Sequence, residues 1–235
     1  MKILALDSTA VVASVAVCDG KKLSALYTVN NGNTHSQTLL PMVEAALKHS
    51  NTDIDEIGLF VSSNGPGSFT GVRIGSATVK GLAFDRNIPC VDVSTLEALA
   101  YNLCGFDGIL CPVMNARRNQ VYNALFRWKD GALVRLCPDR AISIEELQAE
   151  LIEMGEKVYL SGDGYDITVK GFDKLSVEYT PEVLRMQNAY SVAMCGLLSF
   201  ERGEAGTDLS IAPTYLRLSQ AERERNEREQ RSTGI

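Results

Sequence analysis

The stretch Ser62-Ser63-Asn64-Gly65-Pro66-Gly67-Ser68-Phe69-Thr70-Gly71-Val72-Arg73 restricts the fold more than any other part of the chain. Ile57, Leu59, Phe60 and Val61 before it have the apolar density of a buried strand, and from about Ser68 the sequence turns helical. It is therefore a glycine-rich crossing from strand to helix. Gly65 and Gly67 can take backbone angles closed to other residues, and Pro66 fixes the bend between them. Ser68 or Thr70 would cap the helix, and free N–H groups at such a terminus can seat an anion or a carbonyl oxygen. The pattern is neither G-x-x-x-x-G-K-[ST] nor G-x-G-x-x-G, because no Lys follows and the second glycine precedes Ser-Phe-Thr. Two readings stand: a structural turn, or a ligand loop.

With 235 residues and 45% hydrophobic content the chain can bury a sizeable core as one large or two small domains. A formal charge of -6 gives no basic face for stand-alone nucleic-acid binding, so an RNA contact is expected to be shared with a partner. The opening apolar run is stopped by Asp7, too short for a signal peptide or a membrane span, which points to the cytosol. Cys18, Cys90, Cys104, Cys111, Cys137 and Cys195 are scattered without a C-x-x-C pair and read as reduced thiols. His35 and His49 lie about 21 Å apart along one helix at 1.5 Å per residue, and no His-x-x-x-His occurs, so a metal centre lacks its ligands.

Lys2 to Leu6, Val11 to Val17 and Leu23 to Val29 read as three strands, the last two joined by a hairpin with the Asp-Gly signal at Asp19-Gly20. Asp7-Ser8-Thr9 at the end of the first strand resembles the phosphate-1 region of the actin, sugar-kinase and Hsp70 superfamily. Ser8-Thr9-Ala10 stand there in place of glycines, which makes close approach of a phosphate harder. Asp7 reads either as a ligand carboxylate or as a cap of its own turn. A helix from Thr34 to Lys48 carries Leu39, Leu40, Met42, Val43, Ala46 and Leu47 over an arc of roughly 160°. The arc is broad enough to cover the sheet and meet a second body, or to pack wholly inside the monomer. The next helix, Ser68 to Phe84, carries Gly71, Gly75, Ala77, Gly81 and Ala83, and glycines one turn apart allow close approach of another helix. Pro89 to Val93 is a short strand, and Ser94 with Glu97 makes a capping box for a helix to about Cys104.

After a Phe106-Asp107-Gly108 linker, Ile109 to Met114, Gln120 to Trp128 and Ala132 to Leu136 form a second set of strands. A capped helix from Ser143, a strand at Val158 to Leu160 and a second glycine turn, Ser161-Gly162-Asp163-Gly164, follow. The order repeats that of the first half, so the chain is expected to be two similar α/β lobes, 1–105 and 106–218, with a cleft between them. Arg117 and Arg118 sit on a hairpin tip, the one compact basic spot outside the tail. One long helix is expected from Pro181 to Phe200, and residues 219–235 are a mixed-charge tail.

Ile3-Leu4-Ala5-Leu6-Asp7-Ser8-Thr9, His35-Ser36-Gln37-Thr38-Leu39-Leu40-Pro41, Gly65-Pro66-Gly67-Ser68-Phe69-Thr70-Gly71-Val72-Arg73-Ile74-Gly75, Ala116-Arg117-Arg118 with Val121-Tyr122, and Pro213-Thr214-Tyr215-Leu216-Arg217 together resemble the bacterial TsaB family, also called YeaZ. The resemblance implies a duplicated actin-like fold and a scaffold role in making threonylcarbamoyladenosine next to the anticodon of tRNAs. Its partners would be a larger catalytic paralogue of TsaD type and a TsaE-type ATPase, with tRNA met through the complex, and a second copy of the chain would serve when the paralogue is absent. The docking face would be His35, Leu39, Leu40, Met42, Val43, Ala46 and Leu47 with Gly71, Ile74, Gly75 and Thr78. Asp7, Ser8, Thr9, Gly65 and Gly67 would be a vestigial nucleotide or ligand loop, with no cofactor tightly bound and at most a weak or complex-dependent nucleotide. Family members commonly carry Asp where this chain has Asn115, and an amide there can still cap a turn. The paralogue's metal-holding histidine pair has no counterpart in Ser94-Thr95-Leu96-Glu97-Ala98-Leu99-Ala100-Tyr101. The alternative from another class is a stand-alone actin-like hydrolase, a peptidase or nucleotide hydrolase. It would need a nucleophile–base pair or metal ligands that the sequence does not display.

Overall fold

The computed structural model describes residues 1–217, so the charged tail expected at 219–235 lies outside the described residues. Strands β1 (Lys2–Asp7), β2 (Ala13–Asp19) and β3 (Lys22–Val29) form an antiparallel meander, followed by helix α1 (His35–His49), β4 (Ile57–Ser63), α2 (Phe69–Ala83), β5 (Cys90–Val93) and α3 (Thr95–Tyr101). β4 and β5 add in parallel on the other side of β1, giving the order β3-β2-β1-β4-β5. Ile3 to Leu6 are wholly buried because both faces of the central strand are covered.

The second lobe repeats the plan with β6 (Ile109–Asn115), β7 (Gln120–Asn123), β8 (Phe126–Lys129), β9 (Ala132–Arg135), β10 (Arg140–Ser143), α4 (Ile144–Met154), β11 (Val158–Ser161) and α5 (Tyr165–Gly171). β6 takes the place of β1, with antiparallel β7 and β8 on one side and parallel β11 on the other. This is the duplicated α/β architecture that the sequence order predicts. α4 has the complete capping box between Ser143 and Glu146 and ends on Gly155 in the left-handed region.

Two elements differ from expectation. The strand expected over Gln120–Trp128 is β7 and β8, which share one register against β6 but break at Ala124 and Leu125. That register sets Ala124 opposite Pro112, which has no N–H to donate, and the Asn123 Nδ2 donates to the Ala124 carbonyl at 3.0 Å instead. The helix expected over Pro181–Phe200 is likewise two, α6 (Glu182–Arg185) and α7 (Ala189–Glu201), because Asn188 stops one chain direction and caps the next, its Oδ1 accepting from Tyr190 N at 2.9 Å.

The division at residue 105 separates the two sheets but not their cores. Ile3, Ala5, Leu59 and Val61 on one face of the first sheet pack on Val192, Ala193 and Met194 of α7, which returns from beyond the second lobe. Leu96, Leu99 and Leu103 in and just after α3 pack with Leu110, Met114 and Phe126 of the second sheet. The lobes are thus joined by buried apolar surface as well as by the chain.

Candidate functional site

The expected helix cap forms at Ser68, whose Oγ accepts from Gly71 N at 3.3 Å. The loop before it is folded against the end of β1. Ser68 N donates to Thr9 O at 2.7 Å, and the Ser8 Oγ donates to Gly71 O at 2.8 Å. A Cβ on Gly67 would collide with Thr9 O, and one on Gly71 with Ser8 O, so these glycines are required by backbone-to-backbone approach. Gly65 is required twice over, by a φ of +112° and by Thr214 O, which would lie 2.6 Å from its Cβ. Gly75 also faces the β1–β2 loop, with Ser8 Oγ 2.7 Å from the position of a Cβ. The nearest partner of these helix glycines is therefore a loop of the same chain, with His35 at the start of α1 also 3.4 Å from the Gly71 Cβ position.

Asp7 is buried and fully engaged. Its Oδ1 accepts from Thr9 N at 2.8 Å and from Thr9 Oγ1 at 2.7 Å, and its Oδ2 accepts from Ser63 Oγ at 2.6 Å. Burial pushes the carboxyl above its ordinary range while these hydrogen bonds oppose the shift. It caps its own turn. His35 Nε2 donates to Ala10 O at 2.6 Å, which ties the start of α1 to the same loop. The second glycine turn is equivalent: Gly164 N donates to Val113 O at 3.0 Å, and Asp163, pushed up by burial with Asp7 adding a little, accepts from Asn115 N at 3.2 Å.

A strap from Ile211 to Arg217 crosses this region. Ala212 N donates to Asp92 Oδ2 at 2.8 Å and Thr214 N to Asn64 O at 2.7 Å. Tyr215 stacks on Phe69 with ring centroids 4.2 Å apart and planes at 6°, and Arg73 Nε donates to the Tyr215 hydroxyl at 2.7 Å. Arg217 then reaches the second lobe, donating to Ala116 O at 2.8 Å and to the Gln120 side chain. From sequence alone this segment carries the family resemblance but no role. Its Tyr and Arg in a stretch without core periodicity are the signal that could have found it.

The expected docking residues divide. Leu39, Met42, Val43 and Ala46 are buried against Leu4, Leu6, Val15 and Phe60, so they belong to the monomer's core and not to an outer face. Gly71 and Gly75 are buried against the β1–β2 loop, as above. His35, Leu47, Ile74 and Thr78 are half-buried, and Leu40 is 52% exposed on the outer side of α1. The helix needs its broad apolar arc chiefly because the sheet beneath it is wide. All six cysteines are free, Cys18 and Cys90 being pushed up to about 12 and about 11 mainly by burial. Among the described residues no three His, Cys, Asp or Glu side chains converge as a metal-ligand set.

A family model described as TsaD, tRNA N6-adenosine threonylcarbamoyltransferase, matches residues 30–224. A Bacillus subtilis protein named tRNA threonylcarbamoyladenosine biosynthesis protein TsaB is 31% identical over 231 residues, covering 94% of this chain and 96% of its own length. The chain belongs to the TsaB family. The Haemophilus influenzae TsaB is 25% identical over 234 residues, covering 92% of this chain and 94% of its own. In three dimensions YeaZ from Pseudomonas aeruginosa superposes with a TM-score of 0.81 at 24% identity, covering 92% of this chain and 99% of that one. The TsaB fold therefore extends over both lobes and the strap.

Proposed function

We propose that this TsaB-family chain works in tRNA threonylcarbamoyladenosine biosynthesis as the non-catalytic, assembling subunit of a cytoplasmic complex. The complex transfers threonylcarbamoyl from threonylcarbamoyl-AMP to the adenosine next to the anticodon, with a TsaD-type paralogue as its catalytic subunit and a TsaE-type ATPase as a further partner. One observation carries the reading. Where an actin-like phosphate loop would leave space, Thr9 O receives Ser68 N at 2.7 Å and Ser8 Oγ binds Gly71 O at 2.8 Å, so the chain's own backbone fills the seat. Asp7 has both oxygens occupied within the chain, and a cofactor tightly bound at this loop would have to displace these bonds.

The docking face is the outer side of α1 and α2. Leu40 is exposed there, and nothing among the described residues lies within 4 Å of a Cβ on Gly81, a helix-interior glycine that costs about 1 kcal/mol relative to Ala without serving the monomer. A second copy of the chain would use the same face in the absence of the paralogue, giving a symmetric dimer. The test is reconstitution of transfer from threonylcarbamoyl-AMP to tRNA by the paralogue, the TsaE-type ATPase and ATP, with and without this chain. Product is expected only when chain and paralogue are both present, and Leu40→Asp is expected to abolish co-elution with the paralogue while leaving the circular dichroism spectrum unchanged. Transfer by this chain without the paralogue would refute the assignment.

A further inference from the structure

Arg86, Arg127, Arg135, Arg140 and Arg202 each bind a carboxylate within the chain. Arg73, Arg117, Arg118 and Arg217 bind none among the described residues, in a chain with 29 acidic against 23 basic side chains. These four come from three distant segments, yet the fold connects those segments. Arg73 donates to the Tyr215 hydroxyl, Arg217 lies two residues further along the strap and donates to Ala116 O, and Arg117 and Arg118 are the next two residues of that hairpin. Phe69 stacks on one face of the Tyr215 ring and Tyr215 is 40% exposed as a residue, so the strip places aromatic surface beside the guanidinium groups. Arg185, also without a carboxylate, is held elsewhere over the Tyr165 ring at 3.6 Å.

The hairpin tip is built to hold its arginines outward. Arg117, Arg118 and Asn119 have φ of 61°, 54° and 58°, three consecutive left-handed residues with none of them glycine. Such a backbone persists only when its surroundings over-determine it. They do so here: Asn115 Oδ1 accepts from Arg117 N at 2.8 Å, Asn119 Nδ2 donates to Glu145 at 2.6 Å, Ala116 N donates to Gln120 O at 3.0 Å, and Arg217 clamps the base. Both arginine side chains are exposed. Glu145 and Asp163 bind the flanking Asn119 side chain and Asn115 N–H, and neither is paired with Arg117 or Arg118.

We propose that the strip from Phe69 and Arg73 through Tyr215 and Arg217 to Arg117 and Arg118 contacts the ribose-phosphate backbone of the substrate tRNA. Guanidinium forks match phosphate oxygens, and an exposed ring offers a face to a sugar or base. A strip spread over three segments suits a ligand with repeated charges better than a single acidic patch of a protein does. The acidic remainder of the chain confines the contact to this strip, so it supplements a surface held by the paralogue. The inference rests on the tRNA-modification reading above.

The test replaces Arg117→Gly and Arg118→Gly together, because glycine keeps and relieves the left-handed backbone while removing both charges. An unmodified tRNA transcript is titrated with the complex of full-length chain and paralogue over a range of salt, and co-elution of the two proteins is scored on the same samples. The expected result is unchanged co-elution, weaker RNA binding, and a slope of log affinity against log salt smaller by about 2, one for each lost phosphate contact. Arg117→Lys with Arg118→Lys should keep the parent slope. Parent affinity and slope in the glycine variant would overturn the proposal, as would no tRNA binding by the parent complex. Lost co-elution with unchanged RNA binding would overturn it in favour of an acidic protein segment. If the parent proteins do not co-elute, the docking reading fails instead, and the titration of the chain alone is judged by the same slope.

Discussion

Replacing Gly71 by Ala sets a favourable term against a larger unfavourable one. A helix-interior glycine gives up about 1 kcal/mol relative to Ala, so on propensity alone the change would stabilise. The added Cβ, however, would collide with the carbonyl oxygen of Ser8, a backbone atom that cannot rotate away. The loop carrying it is pinned by Asp7 to Thr9 at 2.8 Å, by Ser68 N to Thr9 O at 2.7 Å and by Ser8 Oγ to Gly71 O at 2.8 Å. Overpacking against a fixed group costs about 3 kcal/mol, the upper end of the usual range, which leaves a net loss of about 2 kcal/mol. For a chain of this size that lowers the melting temperature by about 4–8 °C. Gly81→Ala is the matched control in the same helix, because its Cβ meets nothing within 4 Å among the described residues and it should raise the melting temperature by about 2–4 °C. Thermal unfolding of both variants and the parent, followed by circular dichroism at one protein concentration, decides the matter. Shifts in the same direction would refute the claim that backbone approach, and not helix propensity, selects the glycine at 71.

Two further outcomes follow from burial. Val43→Glu places a charge among Leu4, Leu6 and Phe60 with no partner, so it should destabilise the isolated monomer by about 3–5 kcal/mol; a variant with parent stability in urea unfolding would show that Val43 faces outward. Asp92 is pushed up to about 6 by burial, opposed by the N–H of Ala212, so between pH about 4 and about 6 the folded state binds more protons than the unfolded one and stability falls as pH rises. Asp92→Asn keeps an acceptor for Ala212 and should flatten that fall, which urea midpoints measured across the window would register.

The duplicated fold was legible because its signals are local. Alternating or continuous apolar runs mark the strands, and Ser68, Ser94, Ser143 and the Asp19-Gly20 turn mark where elements begin or reverse. Breaks that depend on a neighbour were not legible. The gap between β7 and β8 comes from Pro112 on the facing strand, and β10 forms because residues 140–143 pair with β7 at one edge. The glycines of α2 announced a close approach but not its partner, since propensity carries no information on whether a helix, a loop or a ligand lies opposite. In α1 a moment broad enough for two interfaces is also what a helix over a wide sheet requires, and only contact with Leu4, Val15 and Phe60 separates the cases. The strap escaped because a segment that runs over a surface has no periodicity to read.

Two-lobed proteins move about their cleft unless something large or specific joins the lobes. In many such folds a ligand in the cleft can supply that joint, but here the chain supplies it on several sides. α3 and the turn after it lend Leu96, Leu99 and Leu103 to the core of the second sheet, and α7 returns to cover the first. At the rim, Arg135 of the second lobe binds Glu97 of α3 at 3.1 Å and also Asp139, which in turn accepts from the Ser94 hydroxyl at the start of α3. At the cleft the strap runs from Asn64 to Ala116. Apolar burial sets the strength of this joint and the polar ties set its angle, because each fixes a direction that non-directional burial leaves free. The consequence reaches both surfaces assigned to partners. The outer face of α1 and α2 and the strip of arginines meet at Phe69 and Arg73, and the strip ends on the second lobe. Their relative position therefore depends on the lobe angle that these ties hold.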